Sequence, residues 1–300
     1  MAIENKIEFY KKNIYNQLNE TVIEFSLLER GACNNIYLFK TITGKLYCLK
    51  EERFDKLDGE VNDILTEANL IEFLYNKSVI YTPKISFVLK KHKTYCYEYI
   101  KGETLDTKWD QITKEERMLI MKDIGKYHAE LYNKIPAKET LLIGVKNDRD
   151  DFNTHISNTL NKLNKINKNS KLYTNTLKMQ ESYKKTKFDD SIKCFLHGDL
   201  HKGNILINKN KLVGVVDFGK STVGDVHKDF SHHMRHYPEY IDIVIKSYET
   251  ETGTKLSKNK IIIYAFLKDM EKLIYHVDKY ETHKNKMEKK FDLYNNLLSN

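Results

Sequence analysis

Proline is scarce: Pro83, Pro136 and Pro238 are the only three in 300 residues. Because proline interrupts helices, its rarity leaves long stretches free to be helical. No apolar run approaches the roughly 20 residues of a membrane span, so no membrane role is expected. The first residues, Met1-Ala2-Ile3-Glu4-Asn5-Lys6, hold no apolar block of the signal-peptide kind, and the expected location is the cytoplasm. Cysteine is equally sparse. Cys33, Cys48, Cys96 and Cys194 form neither a C-x-x-C pair nor a zinc spacing, which excludes a disulfide or zinc framework.

Charge, by contrast, is abundant: 50 Lys and Arg face 42 Asp and Glu, for a net +8. The lysines run through the whole chain instead of gathering in one basic patch, so no nucleic-acid partner is expected. The length suits about two domains or one bilobal unit, and at 40% hydrophobic the chain can bury a sizeable core.

Between residues 21 and 50 the pattern is one of strands and turns. Val22-Ile23-Glu24-Phe25, Ile36–Phe39 and Leu46–Leu49 are short apolar runs, and Thr43-Gly44 between the last two is a hairpin signal. Ile64, Leu65, Ala68, Ile71 and Leu74 recur at helical spacing over 62–76, and two further strands are predicted at 84–90 and 94–100. Helical texture follows, first over 115–132. Residues 155–187 are rich in Asn and Lys with thinly spaced leucines, and they read as exposed helices or an insertion. Five of the twelve glycines then fall between Gly198 and Gly224, before helix resumes at Asp229.

The chemistry lies in that glycine-rich block. An apolar strand leads into His197-Gly198-Asp199, Asn204 follows five residues later, and a second apolar strand pair carries Asp217 at its exit. Such spacing sets two carboxylates and an amide on neighbouring strand ends. Phosphoryl transfer needs that set: an oxygen to receive the acceptor's hydroxyl proton, and hard oxygen ligands for magnesium.

His197-Gly198-Asp199-Leu200-His201-Lys202-Gly203-Asn204 followed by Asp217-Phe218-Gly219 resembles the catalytic core of the aminoglycoside phosphotransferase family. This family is the small-molecule branch of the protein-kinase-like fold. The resemblance implies an α+β, bilobal fold, with a small β-rich nucleotide-binding lobe over 1–101 and a larger, mostly helical lobe over 102–300. Within the second lobe, 155–190 would be a helical insertion. It implies Asp199 and His197 as catalytic residues, with Lys202 a further catalytic candidate, and a nucleotide loop containing Gly31 and Asn35. It also implies a phosphate-binding Lys50 paired with Glu67, a hinge carrying Glu98 and Ile100, and Asn204 and Asp217 as ligands of Mg2+. The donor would be ATP or GTP. Lys202 departs from the family, which usually has proline there; its cation could lie over the transferring phosphoryl group or sit solvated at the loop edge. His227, His232, His233 and His236 lack metal-site partners and read as surface or helix-face residues.

Protein kinases carry a peptide platform ending in Ala-Pro-Glu after their Asp-Phe-Gly. Here only residues 220–228 separate that motif from the next helix, and no Ala-Pro-Glu follows, so the expected acceptor is a small molecule. Glu239, Asp242, Asp269 and Glu271 are candidate contacts for a cationic acceptor, an aminoglycoside first of all. Tyr237, Tyr240, Tyr264, Phe266 and Tyr275 could instead cage a quaternary amine, the choline-kinase alternative. Ethanolamine, homoserine and sugar amines are further alternatives. A non-catalytic nucleotide-binding pseudokinase is the other class, and the intact Lys50, Asp199, Asn204 and Asp217 argue against it. A monomer is expected.

Overall fold

The computed structural model describes residues 3–31, 33–53, 62–147, 152–186, 193–275 and 280–299. In chain order the elements are α1 (Ile3–Leu18), β1 (Val22–Arg30), β2 (Asn34–Thr41), β3 (Leu46–Glu52), α2 (Ile64–Asn76), β4 (Ile85–Leu89), β5 (Thr94–Glu98), β6 (Glu103–Thr104) and α3 (Leu105–Lys108). They continue with α4 (Lys114–Lys134), α5 (Ala137–Leu142), β7 (Lys146–Asn147), α6 (Phe152–Asn167), α7 (Lys171–Lys185), β8 (Lys193–Leu196), β9 (Ile205–Asn208), β10 (Lys211–Val215) and β11 (Thr222–Asp225). The chain ends in α8 (His227–His236), α9 (Ile241–Thr252), α10 (Lys258–Tyr275) and α11 (Tyr280–Ser299). No described helix is long and apolar enough to cross a membrane.

Packing divides the chain into two compact units. The first comprises residues 1–120, 134–146 and 202–221, and the second comprises 121–133, 147–201 and 222–300. The chain thus passes between units several times, a different division from one cut after residue 101. The hairpin β9–β10 joins the first unit because β6 pairs with β9, Glu103 opposite Ile207 and Thr104 opposite Leu206.

The first unit is built on a five-stranded antiparallel sheet in the order β1-β2-β3-β5-β4. Alternation along β3 gives the sheet two occupied faces. Tyr47 and Leu49 join Phe39, Phe87, Leu89 and Cys96 beneath Tyr10 and Ile14 of α1. On the opposite face α2 packs on β4 and β5, burying Ala68, Ile71 and Leu74. Asp63 caps α2, its carboxylate accepting from the Leu65 backbone N–H at 2.9 Å.

In the second unit α10 packs against α6, α7, α8 and α11. Ile261, Ile262, Ile263, Ala265 and Phe266 are all fully buried, the signature of a helix enclosed on every side. Residues 155–186 are helical as the sequence suggests and exposed at most described positions, but one face is not: α6 and α7 bury Ile156, Leu163, Leu172 and Met179 against each other and their neighbours. Residues 187–190 of the expected insertion lie outside the described residues. The short pair β8–β11 sets Leu196 opposite Thr222 and delivers the chain into His197. All four cysteines are free thiols.

Candidate active site

In the first unit, Lys50 on β3 and Glu67 on α2 meet inside the lobe. The ammonium donates to both carboxylate oxygens of Glu67, at 2.8 and 2.9 Å, and to Oδ1 of Asp217 at 2.8 Å. Burial opposes the Lys50 charge, yet Asp217 and Glu67 hold its pKa well above the usual lysine range. Burial pushes the Glu67 carboxyl up, against the pull of Lys50. Lys50 and Glu67 are both enclosed, whereas the Asp217 side chain is 45% exposed and offers its carboxylate outward.

Asp217 follows β10 with a φ of 65°. This left-handed conformation costs a non-glycine residue about 1–3 kcal/mol, and Asp and Asn tolerate it best. The Val216 N–H donates to the Asn204 carbonyl at 3.0 Å, which lays the approach to Asp217 alongside Asn204. Together these residues fit a divalent cation. One amide oxygen and one partly open carboxylate are hard ligands of the sort magnesium takes along with water and phosphate oxygens. One ammonium facing two carboxylates also leaves a negative charge to be offset. Among the described residues no group of three or more His, Cys, Asp or Glu side chains could hold a metal.

The turn between β1 and β2 is closed by the Gly31 N–H donating to the Asn34 carbonyl at 2.9 Å. A Cβ at Gly31 would lie 3.3 Å from that carbonyl oxygen, so the turn itself favours glycine. After β5, the Glu98 side chain pairs outward with Lys84 at 2.8 Å. Ile100 lies against β10, filling the space a side chain at Gly214 would need.

In the second unit, β8 opens into the loop that bears Asp199. Asp229 on α8 organises this loop: its two carboxylate oxygens accept from the backbone N–H groups of His197 and Gly198, both at 2.8 Å. His197 is fully buried, and its Nδ1 accepts from the Asp199 N–H at 3.3 Å. Its ring is thus tied to the backbone of the loop that bears Asp199. The Asp199 side chain keeps 17% of its surface exposed.

Three of the four downstream histidines depart from the surface or helix-face expectation. His227, His232 and His233 are buried, while His236 is exposed. His232 Nε2 lies 3.1 Å from the Gly198 carbonyl, and His233 Nε2 lies 2.8 Å from Nε2 of His128 on α4. Burial drives the pKa of His128, His232 and His233 down, that of His233 to about 3. Asp229 goes the other way: burial raises it to about 6, although the two backbone donors pull it down. Lys202 also has an internal partner. It forms an ion pair with Asp106 on α3, whose N–H donates to the Lys202 carbonyl at 3.1 Å.

Of the four carboxylates singled out for an acceptor, Asp269 is committed to the interior. It binds Arg235 at 2.8 Å, Lys290 at 2.5 Å and the Tyr294 hydroxyl at 2.8 Å. Asp242 pairs with Lys258 at 2.7 Å and Glu271 with Lys268 at 3.3 Å, while Glu239 is exposed beside Pro238. The aromatic alternatives are core residues: Tyr237, Tyr240 and Phe266 are buried, and the Tyr264 hydroxyl donates to Asp225 at 3.2 Å. The Tyr275 side chain lies outside the described residues.

Sequence reasoning missed Tyr95 and Asp106. Tyr95 sits directly opposite Lys50 on the adjacent strand, is buried, and its hydroxyl pulls the Glu67 carboxyl down against the effect of burial. Its place two residues before the expected hinge, on the face opposite Cys96, was the available signal.

A family profile described as "Phosphotransferase enzyme family" matches residues 24–255. Among solved structures the chain is similar to APH(2″)-IIa in a streptomycin–ATP ternary complex, at 20% identity over 95% of this chain and 97% of that one, TM-score 0.64. It is similar to wild-type aminoglycoside 2′-phosphotransferase IIIa in a GDP complex, at 14% identity over 97% and 98%, TM-score 0.69. A type I macrolide 2′-phosphotransferase also matches, at 14% identity over 99% and 98%, TM-score 0.65. These likenesses establish a protein-kinase-like, α+β fold. No curated protein matches the chain.

Proposed function

The chain belongs to the phosphotransferase enzyme family, and from that premise we propose that it transfers the γ-phosphoryl group of ATP or GTP to a hydroxyl of a small cationic molecule, an aminoglycoside. The observation that carries this reading is the contact of the buried Lys50 with both enclosed Glu67 and half-open Asp217, next to Asn204. A lysine held charged in a dry site is suited to grip phosphate oxygens, and Glu67 fixes where its ammonium points.

Asn204 and Asp217 would hold Mg2+, whose charge would neutralise the phosphate oxygens of the donor. Gly31 and Asn35 contribute the turn that covers the phosphates, and the segment around Glu98 and Ile100 receives the base. Asp199 orients the acceptor hydroxyl and takes its proton. In a loose transition state the position of this carboxylate matters more than its basicity. Asp229 and His197 keep Asp199 in place by fixing the backbone on which it stands. The acceptor lies by the Asp199 loop and the helices after Asp229, where Glu239, Asp242 and Glu271 are the candidate carboxylates that are not enclosed in the interior as Asp269 is. The enzyme works in the cytoplasm, where nucleotide triphosphates are supplied, and as a monomer.

The deciding experiment is a nucleotide-turnover assay with Mg-ATP and with Mg-GTP against aminoglycosides, macrolides, choline, ethanolamine, homoserine and sugar amines. Phosphorylation of an aminoglycoside, reduced by orders of magnitude in Asp199→Asn while nucleotide still binds, is the expected result. Turnover with a macrolide or choline alone would replace the acceptor, and near-normal turnover of Asp199→Asn would remove its role.

A further inference from the structure

Lys50 and Glu51 are neighbours on β3, and consecutive strand residues point to opposite faces of the sheet. Lys50 enters the site beside α2. Glu51 points instead to the face covered by α1, where it is 5% exposed. Four donors converge on its carboxylate. Lys6 Nζ lies 2.7 Å away and the Tyr10 hydroxyl 2.7 Å away, both from α1. Asn35 Nδ2 and the Tyr37 hydroxyl, both from β2, lie 3.2 Å away. Asn35 is the direct cross-strand partner of Glu51, immediately after the Gly31–Asn34 turn.

A buried carboxylate is tolerated only when its lone pairs are filled, so these contacts tie α1 and β2 to one another through β3. Arg53 secures the other side of the same turn. Its Nη1 donates to the Gly31 carbonyl at 2.6 Å and its backbone N–H to the Cys33 carbonyl at 2.9 Å. The family match begins at residue 24, so Lys6 and Tyr10 lie outside it.

We propose that Glu51 is a positioning residue for nucleotide binding, fastening the Gly31–Asn35 turn to α1 so that Lys6 and Tyr10 set nucleotide affinity from the far face of the sheet. This rests on the assignment of that turn as the nucleotide loop. A loop that cradles phosphates with backbone N–H groups binds tightly only if it is ordered beforehand. The ordering here comes from β3, which carries the phosphate lysine on one face and the loop's anchor on the other. A change at α1 therefore reaches both.

The test uses the full chain and titration calorimetry with Mg-ATP and Mg-GTP, beside thermal unfolding of the same samples. Lys6→Met combined with Tyr10→Phe removes two donors with little change of volume. It should weaken nucleotide about five- to tenfold while unfolding stays cooperative. Asn35→Ala should weaken it comparably, and the triple variant should be less than twofold worse than Asn35→Ala, because all three act through Glu51. If the α1 pair lowers the unfolding temperature but leaves affinity unchanged, while Asn35→Ala weakens it, the link is only structural and the proposal falls. If Gly31→Ala and Asn35→Ala both leave affinity unchanged while Lys50→Met abolishes it, the nucleotide-loop assignment itself is what fails.

Discussion

Each unit buries a polar cluster, and the two do so by opposite chemistry. In the first, a buried ammonium is gripped by one enclosed and one half-open carboxylate, so charge is held by charge. In the second, one carboxylate is enclosed by backbone N–H groups, with a layer of imidazoles around it that burial keeps neutral. In the first arrangement Lys50 is held charged by its carboxylates, while burial pushes the Glu67 carboxyl up. The second depends on protons staying where they are, and the His128–His233 contact needs at least one ring to present a lone pair. Ion pairing fixes where Lys50 points; neutral dipoles fix a backbone.

The sharpest way to break this contrast is to delete one partner of the ionic cluster. Lys50→Met should lower stability by about 3–5 kcal/mol, because Glu67 is left buried without its cation. Turnover should fall by about 10²–10³. Adding Glu67→Leu should return much of the stability, read by denaturant unfolding, and none of the turnover. Recovery of both would show that the cluster is only structural.

Acidification attacks the other cluster. His233 titrates near 6.5 when unfolded and near 3 when folded, so between those values the unfolded chain binds more protons and stability falls as pH falls. At pH 4.5 this residue accounts for roughly 3 kcal/mol. His128 and His232 act in the same direction. Asp229 has the reverse sign, since its raised value favours the folded state as pH drops through about 6. Three histidines outweigh one carboxylate, and the unfolding temperature should drop between pH 6.5 and 4, less steeply in His233→Gln. A flat profile would show that the imidazoles do not stay neutral.

A milder probe is Tyr95→Phe, which removes a buried hydroxyl that favours the Glu67 carboxylate and leaves the ion pair. It should cost about 1.5 kcal/mol in unfolding free energy. It should also weaken Mg-nucleotide binding by a smaller factor than Lys50→Met does, which calorimetry resolves.

Much of the first unit is legible in the sequence because its strands alternate cleanly and Ile64, Ala68, Ile71 and Leu74 keep helical spacing. The Asp199, Asn204 and Asp217 set is legible because all three lie within nineteen consecutive residues. Helix α1 is not: Phe9, Tyr10, Ile14 and Leu18 are thinly placed among Lys and Asn, and only the sheet beneath them makes that stripe a core face. Asp269 and Lys202 look like open charges in the sequence because their partners, Lys290 and Asp106, lie far off along the chain. The histidines of α8 look exposed for a related reason. Their burial depends on α4 and the His197 loop, which no local pattern announces.

Lys50 and Asp217 are 167 residues apart in the chain. At about 5–20 residues per second of synthesis, roughly 8–35 s separate their emergence from a ribosome. Throughout that interval β9 and β10 are missing, and Lys50 and Glu67 have no Asp217 to meet. The first unit thus cannot be completed early in translation, and an N-terminal fragment ending at residue 120 would lack its segments 134–146 and 202–221. A nascent chain would hold the Lys50 cluster half-assembled until most of the protein had been made, a window in which chaperone contact or degradation competes with folding.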